Sequence, residues 1–133
     1  MRRQSFYSVF LKNKFWRLKT ATINGKQYNL LTNQNSPTLQ FSGGNIRGNG
    51  GCNAYRTKFT IDGTILTINE VKSTRIKCND LLLNEPQYFD ALAQVHSISH
   101  IEGSDEFQLV NSKNDVLVFF AQCERSRNSY KPA

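Results

Sequence analysis

The sequence lacks most of the patterns that mark enzymes, metal proteins and membrane proteins. Its 133 residues include three cysteines and two histidines, and no two cysteines have the CxxC spacing of zinc ribbons or redox dithiols. No GxSxG motif occurs, so a serine hydrolase has no nucleophile elbow. The longest apolar runs, such as VLVFFA, are far shorter than the roughly 20 residues of a membrane-spanning helix.

Acidic residues are missing from the whole first half of the chain. Residues 1–61 carry ten Lys and Arg and no acid, whereas residues 62–133 carry seven basic and ten acidic residues; +10 and −3 give the net charge of +7. Such asymmetry fits a face for nucleic acid, anionic lipid or an acidic partner, and equally an ordinary solvated surface. A basic nucleic-acid or anionic-surface binding module is therefore the alternative function.

The first residues, MRRQSFYSVFLKN, also lack the continuous apolar region and small-residue cleavage site of a signal peptide. Either the protein is not exported, or its signal is absent from this sequence. The length fits one domain with a real core, and the hydrophobic content of 38% excludes a disordered chain.

What is present is a series of short strand patterns separated by turn signals. Two hairpins are predicted, at Asn24-Gly25 and at Asp62-Gly63, because these dipeptides tolerate the positive φ of tight turns. The segments with strand patterns are residues 15–23, 26–31, 38–42, 55–62, 64–71, 96–102, 106–110 and 116–121.

One segment has a helical period instead. Tyr88, Leu92 and Val95 have the i, i+4, i+7 spacing of an amphipathic helix over residues 84–95, with Asn84 as its N-cap. Many strands with one helix predict an α+β fold. We expect a curled antiparallel β-sheet, a half-barrel of short strands, with one helix packed over its open side.

The glycine-dense stretch RGNGGCNAY, residues 47–55, invites comparison with a phosphate loop. No Lys-Ser or Lys-Thr follows it, and the next element is a strand, so neither a P-loop nor a dinucleotide fingerprint is supported. The glycines are instead expected to allow positive φ, close backbone approach or a bulge.

The cysteines and histidines give no firm catalytic or metal site. A Cys52 nucleophile would need a base, and nothing places His96 or His100 beside it. In an oxidising compartment a disulfide between Cys52 and Cys78 is the simpler interpretation. It would stabilise the fold by roughly 3–4 kcal/mol and would leave Cys123 unpaired. The histidine pair lacks a third ligand. We therefore expect no catalytic, cofactor-binding or metal-binding residues.

Taken together, the motifs resemble the META domain of HslJ-like heat-shock proteins. The resemblance depends on G-C-N-x-Y and S-T-R-apolar-x-C at this spacing, followed by the helix, and covers roughly residues 14–121. It divides the chain into an N-terminal extension (1–13), the META/HslJ-like domain (14–121) and a C-terminal tail (122–133). The residues that carry the pattern are Trp16, Leu18, Leu39, Phe41, Gly48, Gly51, Cys52, Asn53, Tyr55, Ser73, Thr74, Arg75, Ile76, Cys78, Glu85, Phe89, Ala91 and Leu92.

The resemblance implies a β-half-barrel usually exported to the bacterial envelope, often as a lipoprotein, and linked to heat shock, stress and antibiotic tolerance. We accordingly expect a non-enzymatic monomer in the periplasm or outer membrane, without a cofactor. Any membrane association would require a signal or lipid anchor that this chain does not show. The domain would bind a protein partner or an apolar ligand in the concavity of its sheet, and nucleic acid is not the expected partner.

Within this family pattern the motif residues are expected to be structural. Asn53 can hydrogen-bond loop backbone, and Thr74 and Arg75 can do the same from the STRIKC segment. If Cys52 and Cys78 adjoin, the two motifs form one clamped corner of the sheet. The sequence departs from the family at Thr57, where a glycine is common.

Overall fold

The computed structural model describes residue 7 and residues 10–122. Residues 1–6, 8 and 9 of the predicted extension, and residues 123–133 with Cys123, lie outside the described residues. Within the described part there are ten strands and one helix. The elements are β1 (Phe15–Ile23), β2 (Lys26–Asn29), β3 (Thr38–Ser42), β4 (Asn45–Asn49), β5 (Ala54–Asp62), β6 (Ile65–Ile68), β7 (Lys72–Ser73), α1 (Glu85–Ala93), β8 (Val95–Ile101), β9 (Glu106–Asn111) and β10 (Val116–Gln122).

Eight of the strands form a closed antiparallel barrel. The order is β10-β9-β8-β6-β5-β4-β3-β1, and β1 then pairs with β10 from Phe15↔Gln122 to Thr22↔Val116. The short strands β2 and β7 add to β1 and β5 outside this ring. The predicted α+β fold with an open half-barrel is therefore wrong. The fold is mostly β, and pairing between the first and last long strands leaves no open side.

The barrel interior is filled by side chains. Along most of β1, β5 and β9 every second residue is more deeply buried than its neighbours, as expected for strands with one face inward. Trp16, Phe107 and Phe119 are fully buried, with ring centroids 4.7 Å apart for Trp16–Phe107 and 5.2 Å for Phe107–Phe119. The concavity in which we expected an apolar ligand is occupied by this core.

The predicted helix is confirmed over Glu85–Ala93, ending before Val95, which begins β8. Asn84 caps it, and its side-chain oxygen accepts from the Gln87 N–H at 2.9 Å. The helix covers the barrel end where β5 begins and β9 ends, since Tyr88 contacts Tyr55 and the Asn111 amide donates to the Ala91 carbonyl. In the described part, no helix has the length and apolar content to cross a membrane.

Part of the predicted N-terminal extension packs on the barrel. Leu11 is buried, and the Phe10 ring lies 5.3 Å from Trp16 and 4.7 Å from His100. The Trp16 indole N–H donates to the Leu11 carbonyl at 3.4 Å. This segment therefore covers the start of β1 and the end of β8.

Both predicted hairpins occur, one with a shifted turn. Asn24 and Gly25 have φ of 53° and 80° between the paired residues Ile23 and Lys26, as a type I′ turn requires. In the second hairpin Asp62 pairs with Ile65, so the two turn residues are 63 and 64. The positive φ of 64° falls on Gly63, which explains why the turn begins one residue later than predicted.

Candidate functional site

Cys52 and Cys78 form a disulfide, as predicted. Their Cα atoms lie 6.3 Å apart, and 26 residues separate them in sequence. The bond joins the loop before β5 to the segment after β7. Because Cys52 has no free thiol in this state, it does not supply a nucleophile, whatever the positions of the histidines.

A buried carboxylate completes this corner. Glu85, the first residue of α1, is 7% exposed. Its Oε2 accepts from the backbone N–H groups of Cys52 and Asn53 at 2.8 and 2.6 Å, and its Oε1 accepts from the Asn53 side-chain amide at 2.7 Å. Three N–H groups thus satisfy one carboxylate, which ties the start of the helix to the glycine-rich loop.

The Asn53 side chain makes the other half of the connection. Its Oδ1 accepts from the Thr74 hydroxyl and from the Ile76 N–H, both at 2.7 Å, and its amide donates to the Ile76 carbonyl at 2.9 Å. Asn53 bonds the backbone of Ile76, whereas the Thr74 hydroxyl donates to the Asn53 side chain and not to backbone as expected. Arg75 is exposed and has no hydrogen bond to another described residue, so its expected bonds to carbonyls are not formed. We call Cys52, Asn53, Thr74, Cys78 and Glu85 the clamped corner.

Two glycines of the loop are required by geometry. A side chain at Gly48 would collide with the Thr38 carbonyl, so β3 and β4 approach this closely only with glycine there. Gly51 has φ of +118°, a conformation that residues with a side chain rarely adopt. The glycine-rich stretch therefore shapes the corner and is followed by β5, not by a helix that would bind phosphate.

Two tyrosines meet inside the barrel beside this corner. The Tyr55 hydroxyl donates to the Thr38 carbonyl at 2.7 Å and lies 2.7 Å from the Tyr88 hydroxyl. Burial raises the pKa of both phenols above the usual 10, and the Tyr88 charge and hydrogen bond further raise the pKa of Tyr55. Both phenols therefore stay neutral at physiological pH and hold the β3–β5–α1 junction together.

A groove lies on the outside of the barrel next to the clamped corner. It has a volume of about 660 Å³, and strands β3, β4, β5 and β7 supply most of its lining. Arg47, Arg56 and Lys72 line it, together with Gln40 and Phe15. We call this the outer groove. Among the residues that the structure describes, no Asp or Glu lines it.

Sequence patterns did not identify the outer groove. The patterns predicted each strand as half-buried but not which strands are neighbours, and the groove depends on β3, β4, β5 and β7 lying side by side. The usable signal was the absence of acids before Asp62, since these residues supply β3, β4 and nearly all of β5.

The histidines take separate positions on β8. His96 is exposed, whereas the His100 ring lies 2.7 Å from the Ser104 carbonyl. Across residue 7 and residues 10–122, no three His, Cys, Asp or Glu side chains are grouped so that they would hold a metal ion.

Known proteins share this fold and sequence pattern. The sequence model of one family, described as the META domain, matches residues 9–124. An NMR structure of a protein from Burkholderia xenovorans is 20% identical with a TM-score of 0.70, and the match covers 92% of this chain and 93% of that one. A second NMR structure is 21% identical with a TM-score of 0.57, over 83% of this chain and 90% of that one. Curated proteins give no match. At these identities the two structures establish a likeness of fold.

Proposed function

This chain belongs to the META domain family, and from that premise we propose that it is a non-enzymatic domain of the bacterial envelope. It acts in stress tolerance as a monomer, in the periplasm or at the outer membrane, by binding a protein partner. The Cys52–Cys78 disulfide supports the location, because such bonds persist in oxidising compartments.

The candidate reactive groups are all bonded within the protein, which supports a binding role without catalysis. Cys52 is in a disulfide, the Glu85 carboxylate accepts three hydrogen bonds, and the Tyr55–Tyr88 pair has raised pKa values. Each group is held by the fold and is directed at another protein atom. A catalytic acid, base or nucleophile needs instead to reach a substrate.

The outer groove is the observation that carries the proposal. Because the barrel interior is packed, a partner must bind on the outside. The groove there is a concavity with a volume of about 660 Å³. Its strands are fixed by the Gly48–Thr38 approach and by the clamped corner. Sites built on strands hold their geometry better than sites on loops.

The proposal is tested by site-specific photo-cross-linking in a bacterial host. A photoreactive amino acid replaces Gln40 in the outer groove or, as the control, Gln108 on β9. Both glutamines are half-buried and lie between two buried residues of a strand, but β9 is on the opposite side of the barrel. We expect one defined protein to be cross-linked from position 40 under envelope stress and not from position 108.

A growth assay gives the second measurement. In cells lacking the gene, the wild-type chain and Gln108→Trp should restore stress tolerance, whereas Gln40→Trp, which fills the groove, should not. Equal cross-linking from both positions, or full tolerance with Gln40→Trp, would reject partner binding at this groove. Fractionation of the same cells tests the location, and recovery only in the cytoplasm would reject an envelope role.

A further inference from the structure

Three cations stand in one row across the outer groove. Arg47 of β4 is the register partner of Arg56 of β5, and Arg56 is in turn the partner of Lys72 of β7. Gln40 of β3 continues the row, since it pairs with Arg47. All three cations are exposed and line the groove. We call Arg47, Arg56 and Lys72 the cationic row.

Among the described residues, no ion pair neutralises this row. Within residue 7 and residues 10–122, the ion pairs are Lys19–Glu106 and Lys113–Asp90, and neither involves the cationic row. Like charges directly opposite each other on neighbouring strands destabilise a sheet. The arrangement therefore costs stability, and an anionic ligand in the groove would offset that cost.

The geometry points to a specific ligand: we propose that the outer groove binds an extended acidic segment of a protein. This inference rests on the proposed function and names the chemistry of the partner. Neighbouring strands lie about 4.8 Å apart, so the row spans roughly 10 Å from β4 to β7. Carboxylates at alternate positions of an extended peptide are about 7 Å apart and fit within that span.

The groove suits a peptide better than a nucleic acid. Single-stranded nucleic acids are bound on exposed aromatic rings that stack with the bases. The aromatic residues of this lining are Tyr55, which is buried and bonded to Thr38 and Tyr88, and Phe15, which is half-buried. The polar groups of Gln40, Asn49 and Ser73 provide further hydrogen-bonding partners along the groove.

Fluorescence anisotropy with a labelled peptide of alternating glutamate and serine tests the inference on the full chain. Single exposed ion pairs contribute modestly, so Arg56→Gln should weaken binding roughly threefold and the triple variant Arg47→Gln/Arg56→Gln/Lys72→Gln roughly tenfold. Lys58→Gln is the matched control, because Lys58 is exposed on the same face of β5 but outside the groove lining. It should bind like the wild-type chain.

Further probes distinguish the ligand classes. A peptide with glutamine in place of glutamate should not bind, and a single-stranded oligonucleotide and phosphatidylglycerol vesicles should bind more weakly than the acidic peptide. Unchanged peptide affinity in the triple variant, or equal weakening by Lys58→Gln, would overturn the proposal. Tighter, row-dependent binding of the oligonucleotide or the vesicles would also overturn it.

The variants are expected to fold, because the three side chains are exposed and their removal relieves like-charge repulsion. Thermal unfolding should confirm that Tm does not fall in the triple variant. If position 40 still cross-links its partner in that variant, the groove function stands and the acidic ligand is rejected. If position 40 cross-links nothing while the acidic peptide binds through the row, the partner proposal fails and the anion site remains.

Discussion

At the scale of single residues, Glu85 shows how distant parts of the chain determine the role of one buried side chain. Its carboxylate receives three N–H donors, two of them from consecutive backbone groups of the glycine-rich loop. The sequence pattern placed Glu85 at the start of a helix, where an acid is favourable near the positive end of the helix dipole. The distant donors, more than thirty residues earlier in the chain, set its actual role.

Glu85→Gln should destabilise the protein. Glutamine replaces one carboxylate oxygen by an amide NH2 group, which is a donor and would face another N–H donor. At least one buried polar group therefore loses its hydrogen-bond partner. The expected loss is about 1–3 kcal/mol in the free energy of unfolding, measured by urea denaturation. Glu102→Gln is the control, since Glu102 is exposed. Equal free energies for the two variants would show that the three hydrogen bonds contribute no net stability.

The Tyr55–Tyr88 pair gives a prediction for alkaline pH. Burial raises both folded-state pKa values above 10, the ordinary value that the unfolded chain retains. Above pH 10 the unfolded chain therefore loses protons that the folded chain keeps, and stability falls as pH rises. Below pH 10 both states hold these protons and the pair adds no pH dependence.

The double variant Tyr55→Phe/Tyr88→Phe should consequently lose Tm less steeply with rising pH than the wild-type chain above pH 10. Circular dichroism melts between about pH 8 and pH 11 would measure the two slopes. The comparison concerns slopes, because loss of the bond to the Thr38 carbonyl also changes the Tm at neutral pH. Parallel curves would contradict the assigned direction of the pKa shifts.

At the scale of secondary-structure elements, the clamped corner connects three parts that are distant in sequence. The loop before β5, the segment after β7 and the first turn of α1 meet through one disulfide and the hydrogen bonds of Asn53 and Glu85. The helix is short, and its isolated stability would be marginal. Its position over the barrel end therefore depends on this corner and on the Tyr88 contact.

Reduction of the Cys52–Cys78 bond should lower the free energy of unfolding by roughly 3–4 kcal/mol, because the loop it closes gains conformational entropy when unfolded. Urea denaturation with and without reductant measures the difference. The variant Cys52→Ala/Cys78→Ala should resemble the reduced protein and show no response to reductant. The prediction would be contradicted if the wild-type free energy of unfolding were the same with and without reductant. Free thiols at both positions after aerobic purification would also contradict it.

At the scale of the whole molecule, the sequence predicted the strands better than their arrangement. Period-two patterns and turn dipeptides are local, so most strands, both hairpins and the helix were found. The β1–β10 pairing joins residues about a hundred positions apart and has no local signal, so the sequence predicts a half-barrel where the structure has a closed barrel. The outer groove was missed for the same reason, since its row of cations exists only in the register of three strands.

Barrel closure by β1 and β10 also constrains the order in which the protein is made. Synthesis delivers β1 early, but its partner is available only when Gln122 has been added. Until then the β1 edge has unpaired backbone groups and its apolar side chains lack half of their neighbours. The Cys52–Cys78 bond encloses only a short central segment, so in an oxidising compartment it can form before β1 and β10 have paired. The clamped corner can thus be complete while the seam between β1 and β10 is still open.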